Sequence, residues 1–231
     1  MTLRLAVTRA EPEASRTASR IDARGGQAVL APLLTIEPNA QLDASLDGVQ
    51  ALLFTSANGV RAFGAPKRDV AVFAVGDATA SAARNAGFTN VQTGEGDSEA
   101  LARLAIASCD PRAGKIVHVS GMHIAGDAAG VLTQAGFSAE RRIAYEARAA
   151  TALPPNLAAR LASTPPHLDR VLFHSARAAE IFTSLARAET PALMAVCLSE
   201  QVASAAKLSP WARVIVAARP REDALLEAAL A

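Results

Sequence analysis

Three short blocks from the first half of the chain recur, in the same order, in the second. FTSANGVRAF at 54–63 returns as FHSARAAEIF at 173–182, keeping its outer phenylalanines and the Ser-Ala pair. FAVGDATASAA at 73–83 returns as VCLSEQVASAA at 196–206, and EALARL at 99–104 is echoed by DALLEA at 223–228. The offset drifts only from 119 to 124 residues, so the blocks share one register. A weaker echo links LRLAVTRAEPEAS and GGQAVLAPLLTIEP at the start with KIVHVSGMHIAGD and GFSAERRIAYEA at 115–147. The chain therefore reads as A(3–38), B(51–108), A′(115–147) and B′(170–230). Whether A packs with B or with B′ is open at this level. If the long extended runs at 28–37 and 138–147 cross between two lobes, the first unit joins the last.

Short apolar runs alternate with alanine-rich amphipathic stretches along each unit. Strands are predicted at 3–7, 27–31, 51–55, 70–75, 115–119, 170–173, 193–197 and 213–217. Helices are predicted near 11–24, 57–64, 78–86, 97–107, 125–135, 155–163, 176–187, 200–206 and 221–230. Uniformly apolar strands separated by helices belong in parallel sheets covered on both faces. The class is α/β, doubly wound, since 231 residues is short for eight βα units.

Composition narrows the function. With 51% hydrophobic residues the chain can build real cores, which excludes wholesale disorder. A net charge of +1 leaves no nucleic-acid footprint, so local groups must hold any anionic ligand. Cys109 and Cys197 are far apart and form no CxxC pair, which argues against a disulfide framework and a zinc site. A reducing cytoplasm is the expected location. LRLAV at the start reads as a strand, and no uncharged apolar run approaches the ~20 residues of a membrane span.

Ligands of α/β proteins bind at turns after the carboxyl ends of strands. Here these turns carry Thr8-Arg9, Thr55-Ser56-Ala57-Asn58, Gly76-Asp77-Ala78-Thr79 and Ser120-Gly121. In the second B unit they carry His174-Ser175-Ala176-Arg177 and Ser199-Glu200-Gln201. A serine here caps the next helix, and the same exposed N–H groups receive carboxylates or phosphates. There is no GxGxxG after the first strand, no GxxxxGK[ST] and no GxSxG elbow. The four histidines are scattered, and His118 reads as a strand-end residue. Asp77 and Asp127 read as helix-start acids. Tyr145 is the sole tyrosine and lies in one extended run, where its phenol can donate a proton or hydrogen bond. Arg9, Arg148 and Arg177 are natural carboxylate partners.

At these residues the sequence resembles the uroporphyrinogen-III synthase family. The matching features are VTR at 7–9, FTSANGV at 54–60, AVGDATA at 74–80, G(x4)GD at 121–127 and AGF at 135–137. AYE at 144–146, the FHSA turn and A-x-x-P-(x3)-ALL at 217–226 complete the set, which spans essentially the whole chain. The resemblance implies two similar doubly wound, flavodoxin-like lobes joined by a two-stranded ladder. One lobe is then discontinuous (1–35 plus 149–231) and the other continuous (38–143), with 33–38 and 143–150 as linker strands. It implies a cytoplasmic, monomeric, cofactor-free lyase of the hydro-lyase type. Such an enzyme closes the linear tetrapyrrole hydroxymethylbilane, inverting ring D through a spiro intermediate, in heme biosynthesis. Tyr145 matches the family tyrosine that helps the hydroxyl leave, Ser56 and Ser175 its strand-end serines, and Arg9 its N-terminal arginine. Ala57, Asn58, Thr79, Ser120, Gly121, Arg148, Ala176 and Gln201 complete the expected substrate contacts. The second B turn departs from the family's glycine, variable residue, Thr-Thr. It reads Ser199-Glu200-Gln201-Val202, where Gln201 keeps a hydrogen-bond donor. The alternative is a two-lobed small-molecule binding or sensor protein without chemistry.

Overall fold

A computed structural model describes residues 2–64, 69–94, 96–124, 126–186 and 190–231. The chain divides into unit 1, Met1–Thr35 with Arg148–Ala231, and unit 2, Ile36–Ala147. Positions 125 and 187, each at one end of a predicted helix, lie outside the described residues.

Unit 1 is a five-stranded parallel sheet. Its strands are β1 (Arg4–Val7), β2 (Gln27–Leu30), β9 (Arg170–Phe173), β10 (Met194–Cys197) and β11 (Arg213–Val216), in the order β11-β10-β9-β1-β2. Counted within the unit this is the flavodoxin-like order 2-1-3-4-5. The period-2 alternation of strand side chains splits the core into two layers. Leu5, Val7, Leu172 and Val196 bury against α1 (Glu13–Asp22) and α9 (Glu222–Leu230). Ala6, Val171, Phe173, Ala195 and Cys197 bury against α6 (Pro155–Leu161), α7 (Ala176–Ala186) and α8 (Glu200–Ala206). Trp211 joins that second layer, its ring stacked on Phe182 at 5.4 Å and its Nε1 donating to the Ala206 carbonyl at 2.7 Å.

Unit 2 carries β4 (Val49–Phe54), β5 (Ala71–Val75), β6 (Val91–Gly94), β7 (Lys115–Gly121) and β8 (Ala139–Ala149), all parallel, with β3 (Leu34–Pro38) beside β8. The order β3-β8-β7-β4-β5-β6 contains the frame of unit 1 with its chain order permuted: β7 and β8 take the places of β1 and β2. Leu52, Phe54, Val72, Val117 and Val119 pack beneath α2 (Ala57–Phe63) and α3 (Gly76–Asn85). Ala51, Leu53, Phe73 and Ile116 pack beneath α4 (Ser98–Ser108) and α5 (Ala128–Gln134). The three repeated blocks fall on corresponding elements: β4–α2 with β9–α7, β5–α3 with β10–α8, and α4 with α9.

Strands β3 and β8 each cross a unit boundary, at 35/36 and 147/148. The Asn39 N–H donates to the Ala144 carbonyl at 2.8 Å and the Ala150 N–H to the Leu33 carbonyl at 2.9 Å, so the pair is antiparallel. The extended run predicted at 28–37 is not one strand. It breaks between Leu30 and Leu34, where Pro32 offers no ladder N–H. The edge strand β6 was not predicted, because VQTG holds a single large apolar residue.

Candidate active site

A doubly wound sheet opens a crevice at the carboxyl ends of the two strands where its winding reverses. In unit 2 those strands are β4 and β7, and in unit 1 they are β1 and β9.

At the unit 2 switch point β7 and β8 run in register up to Ser120 opposite Ile143, and the next pair is Gly121 with Tyr145. The residue left over, Ala144, makes a bulge. A bulge re-aims the side chain that follows it. Ala144 and Tyr145 consequently both pack on the Leu52, Phe54 and Val119 layer. The phenol ring then lies directly on Gly121: a Cβ there would sit 2.8 Å from Tyr145 Cζ, 2.9 Å from Cε2 and 3.1 Å from the hydroxyl. Any side chain at 121 would have to move the ring from this seat. Gly59 brings α2 close to β7, with 3.2 Å between its would-be Cβ and the Val119 carbonyl.

Around this pair the polar groups are held. Ser120 is 1% exposed; its hydroxyl donates to the Gly121 carbonyl at 3.1 Å and accepts from Arg141 Nε at 2.8 Å. Ser56 Oγ caps α2 by accepting the Asn58 N–H at 3.1 Å, and the Asn58 side chain accepts from Arg61. His118, 1% exposed, sits in mid-strand rather than at the strand end the sequence pointed to. Its Nε2 lies 3.4 Å from Thr55 Oγ1, and its buried Nδ1 has no hydrogen-bond partner among the described residues. Burial, with the neighbouring charge of Arg141, pushes its pKa down to about 4 against a smaller upward pull from Asp127. The ring is neutral at pH 7.

The unit 1 switch point has spent its charge internally. Thr8 is fully buried and donates to the Leu172 carbonyl at 2.7 Å. Arg9 Nη1 reaches Glu222 and Thr17 at 3.4 Å each, and Thr17 donates to the same carboxylate. Glu222 also accepts Arg20, so α1, the turn after β1 and the start of α9 share one network. Ser175 Oγ accepts the Ala178 N–H at 3.2 Å and Ser199 Oγ the Val202 N–H at 3.4 Å, both as helix caps. Both ring nitrogens of His174 are buried without a partner among the described residues. Burial, and then the Arg9 charge, lower its pKa to about 3.

Of the remaining predicted residues, Ala57 and Ala176 open α2 and α7 beside their serine caps. Thr79 is buried in α3, while Gln201 and Arg148 are exposed. Asp127 caps α5 through the Gly130 N–H at 2.9 Å, and Asp77 lies in the first turn of α3. Sequence reasoning missed Arg141 and the buried character of His118 and His174. Only the apolar neighbours of His118 in KIVHVSG signalled a buried ring. Among the described residues no cluster of three metal-binding side chains occurs, and no helix is long and apolar enough to cross a membrane.

The profile of the family described as uroporphyrinogen-III synthase HemD matches residues 15–227. No curated protein sequence matches. Among solved structures, a uroporphyrinogen-III synthetase from Helicobacter pylori is similar at a TM-score of 0.67 and 16% identity, covering 100% of this chain and 99% of that one. A mutant uroporphyrinogen III synthase from Thermus thermophilus is similar at a TM-score of 0.54 and 16% identity, covering 98% of this chain and 97% of that one. At this identity the likeness is one of fold.

Proposed function

The chain belongs to the uroporphyrinogen-III synthase family, and on that premise we propose that it closes hydroxymethylbilane to uroporphyrinogen III in tetrapyrrole biosynthesis. The family match across residues 15–227 carries this reading. In the proposed sequence the substrate's hydroxyl departs as water and leaves an azafulvenium-like cation. Attack at the substituted ring position gives a spiro intermediate, and fragmentation with reclosure inverts ring D. The Tyr145 phenol, seated on Gly121 at the end of β7, donates a hydrogen bond to the departing hydroxyl. The acetate and propionate arms are taken by the N–H groups of the turns at 56–58 and 175–177, with Gln201 and Arg148 as side-chain donors. Arg9, engaged by Glu222, holds α9. Ser120, buried, supports the strand end through the Gly121 carbonyl, and Thr79 is buried in α3. The enzyme works by folding a flexible polycarboxylate into its reactive conformer, as a cytoplasmic lyase that needs no cofactor.

Purified protein supplied with freshly made hydroxymethylbilane is expected to give the type III porphyrin isomer after oxidation and separation. Type I isomer alone, at the spontaneous rate, would overturn the reading in favour of a binding protein. Tyr145→Phe is expected to cut turnover by about tenfold with folding intact. Wild-type turnover in that variant removes the phenol from the reaction.

A further inference from the structure

We propose that Arg141 is the positioning residue of the unit 2 site, fixing the bulged end of β7 on which the Tyr145 ring is seated. The inference deepens the reading of Tyr145 given above and rests on it. Arg141 pairs in register with His118, three residues before Gly121 in β7. The residue is exposed, yet its guanidinium is engaged by β7. The side chain runs along the strand and donates from Nε to Ser120 Oγ at 2.8 Å, and from Nη2 to the carbonyls of Gly121 at 2.7 Å and Met122 at 2.6 Å. Three consecutive residues are thereby gathered by one planar guanidinium, a geometry a lysine ammonium cannot reproduce.

The need for such a clamp follows from the bulge. Where β8 carries an extra residue, the ladder between β7 and β8 is interrupted. Backbone carbonyls at an interruption need donors from elsewhere. Arg141 supplies them for Gly121 and Met122, while the Met122 N–H still reaches the Tyr145 carbonyl at 2.8 Å. Because the ring touches the Gly121 backbone with no side chain between, the position of that backbone sets the position of the phenol. A shift of the strand end therefore passes directly to the group that meets the substrate.

The chain has one tyrosine, so its ring signals report Tyr145 alone. The test compares wild type, Arg141→Met and Arg141→Lys, each with 13C-labelled tyrosine, by the NMR position of the ring and by kcat and KM separately. The expected result is a displaced or broadened ring signal in both variants, with kcat down by roughly tenfold and KM little changed. Arg141→Met combined with Tyr145→Phe is expected to lose no more turnover than Tyr145→Phe alone. Arg141→Lys keeps the charge on β8 and serves if the Met variant folds poorly. A ring signal that stays in place in both variants overturns the proposal, whatever their activities. So does a displaced signal with unchanged kcat. Full turnover in Tyr145→Phe strikes instead the reading of the phenol, and the ring signal then decides for Arg141.

Discussion

The two units share one frame and differ in what they do with it. Each has five parallel strands in the same spatial order, helices on both faces, and a serine capping the helix that follows one switch-point strand, β4 in unit 2 and β9 in unit 1. In unit 1 the arginine at the switch point is tied to Glu222, and a histidine there is sealed. In unit 2 an arginine is instead spent on holding a strand end, and a phenol rides on it. The frame dictates where a site can form. Side chains at the strand ends decide whether the place becomes chemistry or a joint.

Acid should expose the comparison most strongly. His118 and His174 are neutral when folded, with pKa values near 4 and near 3 against the ordinary 6.5. Below pH 6.5 the unfolded chain takes up protons that the folded chain refuses, so stability falls as pH falls. Each ring is expected to cost about 2 kcal/mol between pH 7 and pH 5. His118 stops costing near pH 4, while His174 continues towards pH 3. Urea unfolding of His118→Met and His174→Met across this range should show equal flattening down to pH 4 and divergence below it. A wild-type stability that is level from pH 7 to pH 5 would refute the sealed-ring description in both units.

Gly121→Ala comes next, because its Cβ must displace the Tyr145 ring. Turnover is expected to fall by about tenfold, as in Tyr145→Phe, while the thermal midpoint moves little. Unchanged activity would mean that the ring has room that the contact denies. The capping serines test what is common to the two frames. Ser56→Ala and Ser175→Ala should each cost about 1 kcal/mol in denaturant unfolding. Any additional rise in KM marks a turn that also holds substrate, and a rise for only one of them assigns that work to one unit. Smallest is Arg9→Met, expected to remove less than about 1 kcal/mol because the pair with Glu222 is partly exposed. A large KM effect there would return Arg9 to the substrate.

The fold class was legible because it rests on local pattern. Apolar runs such as RVLF, and caps such as Ser56 and Ser199, act within a few residues, so they survive reading without a partner strand. The VQTG strand is the instructive failure: an edge position asks little of its side chains. The site was legible only in outline. Tyr145 drew notice by being the single tyrosine, and Gly121 by ending a strand. What joins them is a register shift between strands whose paired residues lie more than twenty positions apart in sequence, and no local pattern encodes it. Arg141 looked like any surface arginine for the same reason.

The interleaving of the units also bears on how the chain is made. Unit 2 is one continuous segment and can complete its sheet once Ala147 has been synthesised, but β1 cannot. Its neighbour β9 begins at Arg170, and the Arg4–Asp169 pair beside that seam spans 165 positions. The N-terminal βαβ segment must therefore wait, its apolar faces uncovered, while a whole unit folds between it and its partner. Unit 1 is begun first and finished last, so its closure is the pairing that must bridge the longest stretch of chain.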